Sequence, residues 1–411
     1  MWLDRLEYRR HPLVWYQAQA ATKKLIEAEN LKHVSKGTPV TDRSTKEKFM
    51  TKILNSPISR RAVLGGTAAA IGALSMPSIL RAQDRSLKVG VYGGYFKDSF
   101  DANIFPDFTS ATGIAVESVA EPTGEAWLVQ LEQAAKAGVA PADVSMMSQV
   151  AMLKGQSTDL WAPIDISKIK NYDGLLDQFV NKYPDGRVAG IGAVAWYITL
   201  VTNTDAYPEA PESWAALWDP ANADKLGLLA LVSNSFLLEV TAKTYLGGTG
   251  ALDTEEGLNK AFEKLAEVKP NVRLWYRDEA QFEQALKSGE IPMGQYYHDV
   301  TGLAAADGNP VRSTFPKEGG IQDSGCWALS RASGKVEEAH VFIDYMSQPE
   351  IQATLSRKVG TAPTLKRDLL DLTAEEFASV SSDIDPIIPR YDLYQTKSDW
   401  LNQKWTEMIV G

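Results

Sequence analysis

The side chains that most often carry out enzyme chemistry are sparse in this sequence. Its four histidines are His11, His33, His298 and His340, and the first two belong to a leader segment described below. The remaining two supply neither a histidine-based triad nor a zinc site built on two spaced histidines. A nucleophile elbow and a phosphate-binding loop are also missing from the sequence. These absences favour a binding protein over an enzyme.

Three other kinds of site have weak or no support in the sequence. Gly93 and Gly94 follow a predicted strand and precede a predicted helix, as in a dinucleotide-binding loop, but the third glycine is missing. Many carboxylates are present, yet no spacing singles out a pair for glycosidase chemistry. The single cysteine, Cys326, excludes an intramolecular disulfide and a cysteine-cluster metal site, and is best interpreted as a small buried hydrophobic residue. No cofactor or metal is therefore expected.

The charge is distributed unevenly along the 411 residues. Residues 1–83 hold 14 basic and 6 acidic side chains, a net charge of +8, whereas the rest holds 28 and 46, a net charge of −18. A basic leader on an acidic body is typical of an exported protein. The acidic body makes nucleic acid an improbable partner, because binding to phosphates requires an excess of Lys and Arg.

The leader divides into two parts. Residues 50–83 resemble a twin-arginine export signal, with Arg60 and Arg61 before a short apolar run that is too short to span a bilayer. We expect cleavage near Ala82 or Gln83, and passage through the twin-arginine export machinery to the periplasm. Residues 1–49 are interpreted as a mis-assigned extension ahead of a true start at Met50, or as a cytoplasmic tail.

The body of the chain alternates between strand and helix patterns. Strands are predicted at 87–92 and 114–119, with a helix over 95–112 that Pro106 should interrupt. This β-α-β unit implies a parallel sheet with a right-handed crossover. Further strands are predicted near 142–147, 188–202 and 226–232, and helices near 124–138, 148–154, 212–218, 234–246, 255–267, 279–288, 335–347 and 349–357. The fold class is α/β, and about 330 residues indicate two lobes.

Seven short segments of the body resemble a known family. They are residues 92–95, 105–114, 211–218, 287–290, 316–320, 339–346 and 360–364. In this order, and behind an export signal, they resemble the periplasmic solute-binding proteins of ABC importers, in the group that includes the spermidine/putrescine receptors.

This resemblance implies a specific architecture and set of partners. The expected fold is a type II-like pair of α/β lobes, each a mostly parallel sheet flanked by helices, with a ligand cleft between them that closes by hinge motion. We assign residues 85–200 and 322–411 to the first lobe with the C-terminal helices, and 201–321 to the second. A small-molecule ligand, an ABC permease and a monomeric state are expected.

The acids that hold polyamines in that group are not retained at matching positions. The two acidic positions of the strand-to-helix region over 233–237 fall on Asn234 and Leu237, and the aromatic and acidic positions after Gly320 fall on Asp323 and Gly325. Asp299 and Asp323 are the acids that remain available to pair with an ammonium group, and a buried diammonium needs an acid at each end. The expected ligand is therefore a small polar organic solute, polyamine-like or another amine.

Aromatic and polar side chains complete the predicted site. The resemblance places the serine after the third strand at Ser148, an aromatic in the opening loop at Tyr95, and the family's tryptophan at Tyr297. Tyr197 and Trp275 are further candidates from apolar strands. Each has an ordinary alternative: Tyr95 can cap a helix, Tyr197 can belong to the core, and Trp275 can lie at the surface.

Two other functions remain open at this point. The adjacent residues Tyr296, Tyr297, His298 and Asp299 are similar to the phenolate sites of ferric-ion receptors on the same fold. A periplasmic enzyme on a related α/β scaffold is the second alternative.

Overall fold

The computed structural model describes residues 85–122 and 126–410, so the predicted leader segments 1–49 and 50–83 lie outside the described residues. The strands are β1 (Ser86–Tyr92), β2 (Ala115–Glu121), β3 (Val144–Ser148), β4 (Val180–Lys182), β5 (Val188–Asn203), β6 (Leu226–Leu229), β7 (Val272–Tyr276), β8 (Met293–Tyr297), β9 (Val311–Thr314) and β10 (Ile321–Leu329). Within the described ranges, no helix has the length and apolar character needed to cross a membrane.

The helices alternate with these strands, as an α/β fold requires. They are α1 (Tyr95–Asn103), α2 (Phe105–Thr112), α3 (Ala126–Lys136), α4 (Gln149–Ser157), α5 (Val232–Ser235), α6 (Leu237–Tyr245), α7 (Glu255–Ala266), α8 (Glu279–Ser288), α9 (His298–Ala306), α10 (Val336–Met346), α11 (Pro349–Val359), α12 (Ala374–Ala378), α13 (Tyr391–Thr396) and α14 (Ser398–Val410).

The predicted break at Pro106 is present. Ile104 separates α1 from α2, and Pro106 occupies the first turn of α2, where its missing N–H group is not needed. Gly113 ends α2 in the left-handed conformation with φ 70°, and β2 then pairs parallel to β1. The β-α-β unit predicted from the sequence is therefore confirmed.

Three predicted elements differ from the structure. The predicted helix over 212–218 is a short 3-10 helix, Trp214–Trp218, which begins after the N-cap Ser213. The predicted strand near 226–232 ends at Leu229, and the helix α5 follows at once. Phe236, in the left-handed conformation with φ 51°, then separates α5 from α6 and divides the single helix predicted over 234–246.

Two groups of parallel strands flank two long antiparallel strands. Among the described residues the sheet order is β2-β1-β3-β10-β5-β8-β6-β7, with β4 and β9 also paired to β5. The strands β1, β2 and β3 are mutually parallel, as are β6, β7 and β8. Strand β5 is 16 residues long and pairs with β10 and β4 along its first part and with β8 and β9 along its end. The two halves are therefore joined by strands that run from one into the other.

Each half has its own apolar core. The first core centres on Trp327, Phe342 and Phe108, and the second on Trp214 and Phe282. The apolar residues of α13 and α14 belong to the second core, and α14 packs against α7. This packing differs from the predicted grouping of 322–411 with the first lobe, and the exact lobe boundaries stay a prediction.

Candidate functional site

The carboxyl ends of both parallel strand groups converge on one cavity of about 660 Å³. Tyr92, Ser148 and Tyr297 end their strands β1, β3 and β8 there, and Asn234 follows β6. Loops at the carboxyl ends of parallel strands are the usual place for a ligand in open α/β sheets. Because the carboxyl ends of both strand groups meet there, both halves of the molecule contribute residues to the cavity wall.

Acidic side chains outnumber basic ones three to one among the described residues of the cavity wall. The acids are Glu279, Asp299 and Asp323, and the base is Lys154. Glu279 begins α8 and is exposed, and its Oε1 accepts a hydrogen bond of 2.9 Å from the hydroxyl of Tyr297. The acids give the cavity the polarity that a cationic ligand requires.

Among the acids that the structure describes in the cavity wall, Asp299 lacks a hydrogen-bond partner for one of its carboxylate oxygens. It lies in the first turn of α9, and its buried Oδ1 has no hydrogen-bond partner in the described part of the chain. Burial raises the pKa of Asp299 to about 6, although the backbone amides of Asp299 and Val300 partly offset this. A buried carboxylate oxygen without a partner is unfavourable, so an ammonium group placed beside it would be strongly stabilised.

Asp323 lines the same cavity, but its carboxylate accepts hydrogen bonds from neighbouring groups. Its Oδ1 accepts a hydrogen bond of 2.6 Å from the hydroxyl of Tyr391 and one of 2.7 Å from the backbone amide of Ser324. Burial nevertheless raises the pKa of Asp323 to about 6. Near neutral pH both Asp299 and Asp323 are ionised, and both lose their charge in mild acid.

Two hydroxyl groups on the first half of the molecule also lack partners. The buried Tyr92 hydroxyl and the Thr361 Oγ1 line the cavity and make no hydrogen bond within the described residues. Burial raises the pKa of Tyr92 well above its usual value, so its hydroxyl remains a neutral donor. A Cβ at Gly325 would lie 3.1 Å from this hydroxyl, so an acid at this position, which the family resemblance predicts, would require the Tyr92 hydroxyl to shift by a few tenths of an ångström.

Aromatic rings form much of the remaining wall. Phe236 packs edge-on against Tyr391 and Tyr394, with ring centroids 6.1 Å and 5.8 Å apart, and Tyr92 packs edge-on against Phe96. Trp196 of β5 lies on the same wall. Aromatic faces beside carboxylates attract organic cations through the ring quadrupole while accommodating an alkyl chain.

The structure brings together five of the eight predicted site residues. Ser148, Asn234, Tyr297, Asp299 and Asp323 all line this cavity. Ser148 also caps α4, because its Oγ accepts from the backbone amide of Ala151. That these five residues bind the ligand stays a prediction.

The other three predicted residues have different surroundings. The side chain of Tyr95 lies outside the described part of the structure, although its backbone begins α1. Tyr197 points to the opposite side of β5 from Trp196, since side chains alternate along a strand; its hydroxyl accepts from Gln322 Nε2 at 2.6 Å. Trp275 packs edge-on against Trp405 in the second core, away from the cavity.

Several wall residues were missed from the sequence. Tyr391 and Tyr394 belong to α13, near the end of the chain, and lie on one face of that helix because they are three residues apart. That spacing is a signal, but nothing in it indicates which part of the fold the helix contacts. Thr361 and Glu279 were missed because their residue types are ordinary for helix ends.

His298 does not join the two tyrosines of the ferric-ion alternative. The Tyr296 hydroxyl lies near Glu279 and Glu283, whereas the Tyr297 hydroxyl donates to Glu279 at the cavity. His298 turns away, since its Nδ1 bonds to Ser313 Oγ and its Nε2 to the carbonyl oxygen of Ala378. Among the described residues, no group of three or more His, Cys, Asp or Glu side chains could hold a metal ion. The arrangement does not favour iron.

Comparison with known proteins decides the family. A sequence profile described as bacterial extracellular solute-binding protein matches residues 103–375, more than half of the chain. The chain belongs to this family. Members of this family bind solutes, so the chain is a solute-binding protein and not an enzyme.

Relatives and a solved structure agree with the family. The chain is 26% identical over 307 residues to a gamma-aminobutyric acid-binding protein of Pseudomonas aeruginosa, covering 72% of this chain and 82% of the relative. It is 25% identical over 303 residues to a spermidine/putrescine-binding periplasmic protein of Salmonella typhimurium, covering 73% and 82%. An ABC transporter substrate-binding protein from Bradyrhizobium japonicum superposes with a TM-score of 0.65 at 19% identity, over 79% of this chain and all of that one. The two-lobed binding-protein fold predicted from the sequence is confirmed.

Proposed function

We propose that this solute-binding protein captures a small organic amine in the cavity and delivers it unaltered to an ABC permease. The observation that carries the proposal is the buried, unpartnered Oδ1 of Asp299 in a wall of aromatic rings. A protonated amine supplies the missing hydrogen-bond donor and the missing opposite charge together. A neutral or anionic ligand would leave the carboxylate unpaired.

Cavity size and the relatives support an amine on a flexible chain. A cavity of about 660 Å³ is within the range of small-molecule sites. The named relatives bind spermidine, putrescine or gamma-aminobutyric acid, and these ligands share a protonated amine on an alkyl chain. Asp299 and Asp323 would bind the amine, and Trp196 and Phe236 would contact the chain.

Export to the periplasm belongs to the same proposal. The periplasmic names of relatives and the predicted twin-arginine signal over 50–83 support this location. We expect a monomer whose two halves close on the ligand about the connecting strands. Replacing Arg60 and Arg61 by Lys should retain the protein in the cytoplasm, as cell fractionation would measure, whereas unchanged export would contradict the twin-arginine route.

A thermal-shift and calorimetric titration tests the ligand class. The purified protein is titrated with putrescine, spermidine and gamma-aminobutyric acid, and with succinate as a chain of similar size without an amine. A ligand present at about 100 times its Kd stabilises the folded state by about 2.7 kcal/mol. We expect at least one amine to stabilise the protein and succinate to have no effect. Binding of succinate alone, or of none of the four, would contradict the proposal.

A further inference from the structure

A carboxylate outside the cavity holds one of the cavity walls in place. Glu239 lies in the first turn of α6 and is completely buried, yet it is not among the residues that line the cavity. Its Oε1 accepts a hydrogen bond of 2.8 Å from the backbone amide of Arg390, and its Oε2 accepts one of 2.7 Å from the hydroxyl of Tyr394. Both donors belong to the C-terminal segment, one just before α13 and one inside it.

These two hydrogen bonds hold helix α13, which forms part of the cavity wall. Tyr391 and Tyr394 both line the cavity, and the Tyr391 hydroxyl donates to Asp323 at 2.6 Å. Helix α13 also contacts α4, which belongs to the other half of the molecule. A shift of α13 would therefore move two aromatic rings and release Asp323 from its hydrogen bond.

Among the described residues, the nearest other backbone hydrogen bonds ahead of α13 join Ile387 to Gly320 and Gln322, three residues before Arg390. The Arg390 side chain pairs with Asp392 and Asp253, but both of these carboxylates are mostly exposed. Exposed ion pairs contribute little to stability, whereas hydrogen bonds to a buried carboxylate are among the stronger ones. Phe236 adds packing, because its ring contacts both Tyr391 and Tyr394.

Helix α13 lies beyond the residues that the family profile matches. The family profile matches residues 103–375, and α13 spans Tyr391–Thr396. Helix α13 therefore contributes wall residues that the profile match does not cover. An element of this kind can change which ligand fits while leaving the fold unchanged.

We propose that Glu239 is a positioning residue that fixes α13 against the cavity and thereby sets the affinity and selectivity for the amine. This inference rests on the proposed function, since it assumes that the cavity binds an amine. Glu239 acts only through Arg390, Tyr394 and Tyr391, and does not touch the ligand.

Four variants of the whole protein test this role. E239A removes both hydrogen bonds, E239Q retains an acceptor for the Arg390 amide, and Y394F removes the hydroxyl alone. The matched control is D143A, because Asp143 is also buried and also accepts from one backbone amide, that of Lys88, and one hydroxyl, that of Ser333. Asp143 precedes β3, at the opposite end of that strand from Ser148 and the cavity.

Two measurements are made on each variant. Amide hydrogen exchange reports whether residues 391–396 open, and calorimetry gives the Kd of whichever of putrescine, spermidine and gamma-aminobutyric acid binds the wild type most tightly. E239A should increase exchange in 391–396 and raise the Kd at least about tenfold, and Y394F should have a smaller effect in the same direction. E239Q should restore the Kd to within about threefold of wild type. D143A should lower the thermal midpoint without changing either readout.

The outcomes separate this inference from the proposed function. If no amine binds the wild type, the proposed function fails, and the exchange of 391–396 in E239A still decides whether Glu239 holds the wall. If an amine binds but E239A leaves exchange in 391–396 unchanged, Glu239 does not position α13. The inference is also overturned if exchange increases while the Kd stays the same, or if D143A weakens binding as much as E239A.

Discussion

The two walls of the cavity differ in the groups they offer. The wall from the β6, β7 and β8 half carries the acids Glu279 and Asp299. The wall from the β1, β2 and β3 half carries no acid among its described residues; it has the base Lys154 and the uncharged hydroxyls of Tyr92, Ser148 and Thr361, and these three hydroxyl residues form the neutral wall. Because the acids and the hydroxyls lie on opposite walls, the two ends of a bound ligand would contact different chemical groups. A ligand with an ammonium group at one end would place it at the acidic wall, with its other end at the neutral wall.

Asp323 lies between these walls and belongs to one of the two connecting strands. It is on β10, which pairs with both β3 and β5, and its partner Tyr391 comes from α13. A carboxylate at this position can contact the ligand from either half. We therefore expect the acidic wall to decide whether an amine binds, and the neutral wall to affect which amine binds.

Removal of the Asp299 charge should have the largest effect. The substitution Asp299→Asn leaves a bound ammonium group without its partner, and should raise the Kd of the bound amine by at least about 100-fold, or about 2.7 kcal/mol. Ser148→Ala on the neutral wall should change the Kd by less than about threefold. Calorimetric titration of both variants measures the contrast. An equal increase in Kd in the two variants would mean that the acidic wall is no more important for amine binding than the neutral wall.

Acid should weaken binding through the same carboxylates. Burial raises the pKa of Asp299 and of Asp323 to about 6, so each group is mostly ionised at pH 7 and mostly protonated at pH 5. Because an ammonium group is attracted only to the ionised form, the Kd should rise about tenfold for each group that contributes. Titrations at pH 5, 6 and 7 measure this. A Kd that is constant over this pH range would show that neither Asp299 nor Asp323 binds the ammonium group.

The stability of the free protein should change with pH in the opposite sense. The pKa of each of the two carboxyl groups is higher in the folded protein than in the unfolded chain. Their contribution to the stability of the folded state is therefore fully present below about pH 4 and is lost as the pH rises through about 6. A bound amine should cancel part of this loss. The difference in thermal midpoint with and without putrescine, or whichever amine binds, should therefore increase from pH 5 to pH 7.

Loss of an aromatic ring should have an intermediate effect. Trp196→Ala removes a large ring from the wall and should raise the Kd of an amine about fivefold, the size expected for a partly shielded cation–π contact and lost packing. Trp275→Ala is the matched control, because Trp275 packs on Trp405 in the second core and does not line the cavity. The control should lower the thermal midpoint and leave the Kd unchanged. A larger change in Kd for Trp275→Ala than for Trp196→Ala would place the ligand elsewhere.

The smallest effect is expected on the neutral wall. Thr361→Val removes a buried Oγ1 that has no partner among the described residues, and Val has nearly the same shape. We expect the free protein to be equally stable or more stable by about 1 kcal/mol, and the Kd to change about twofold. Chemical denaturation and calorimetry measure the two quantities. A strongly destabilised variant would show that Thr361 has a structural partner and is not available to a ligand.

The strand and helix pattern of the first half could be predicted closely because local signals agree there. Pro106 and Gly113 mark helix boundaries by their backbone restrictions, and the structure follows them. The division at Phe236 could not be predicted, since a left-handed phenylalanine is held by contacts with Tyr391 and Tyr394, which are distant in sequence. Tertiary contacts decide such positions.

The candidate site could be predicted in part for a similar reason. Residues at the ends of parallel strands, such as Ser148 and Tyr297, must lie at one edge of the sheet, so their proximity follows from the strand order. The two-residue repeat of β5 implies that Trp196 and Tyr197 face opposite sides. The strand is mostly apolar on both sides, however, so its sequence does not indicate which side faces the cavity. The contribution of Tyr391 depends on where α13 packs, which no local pattern specifies.

The central claim is that an organic amine is held between an acidic wall and a neutral wall and is released unchanged. Native mass spectrometry of the protein with equimolar putrescine, spermidine, gamma-aminobutyric acid and succinate tests this most directly. The account predicts a one-to-one complex with an amine, no complex with succinate, and an amine of unaltered mass after denaturation. A succinate complex without any amine complex, or a released compound of altered mass, would contradict it.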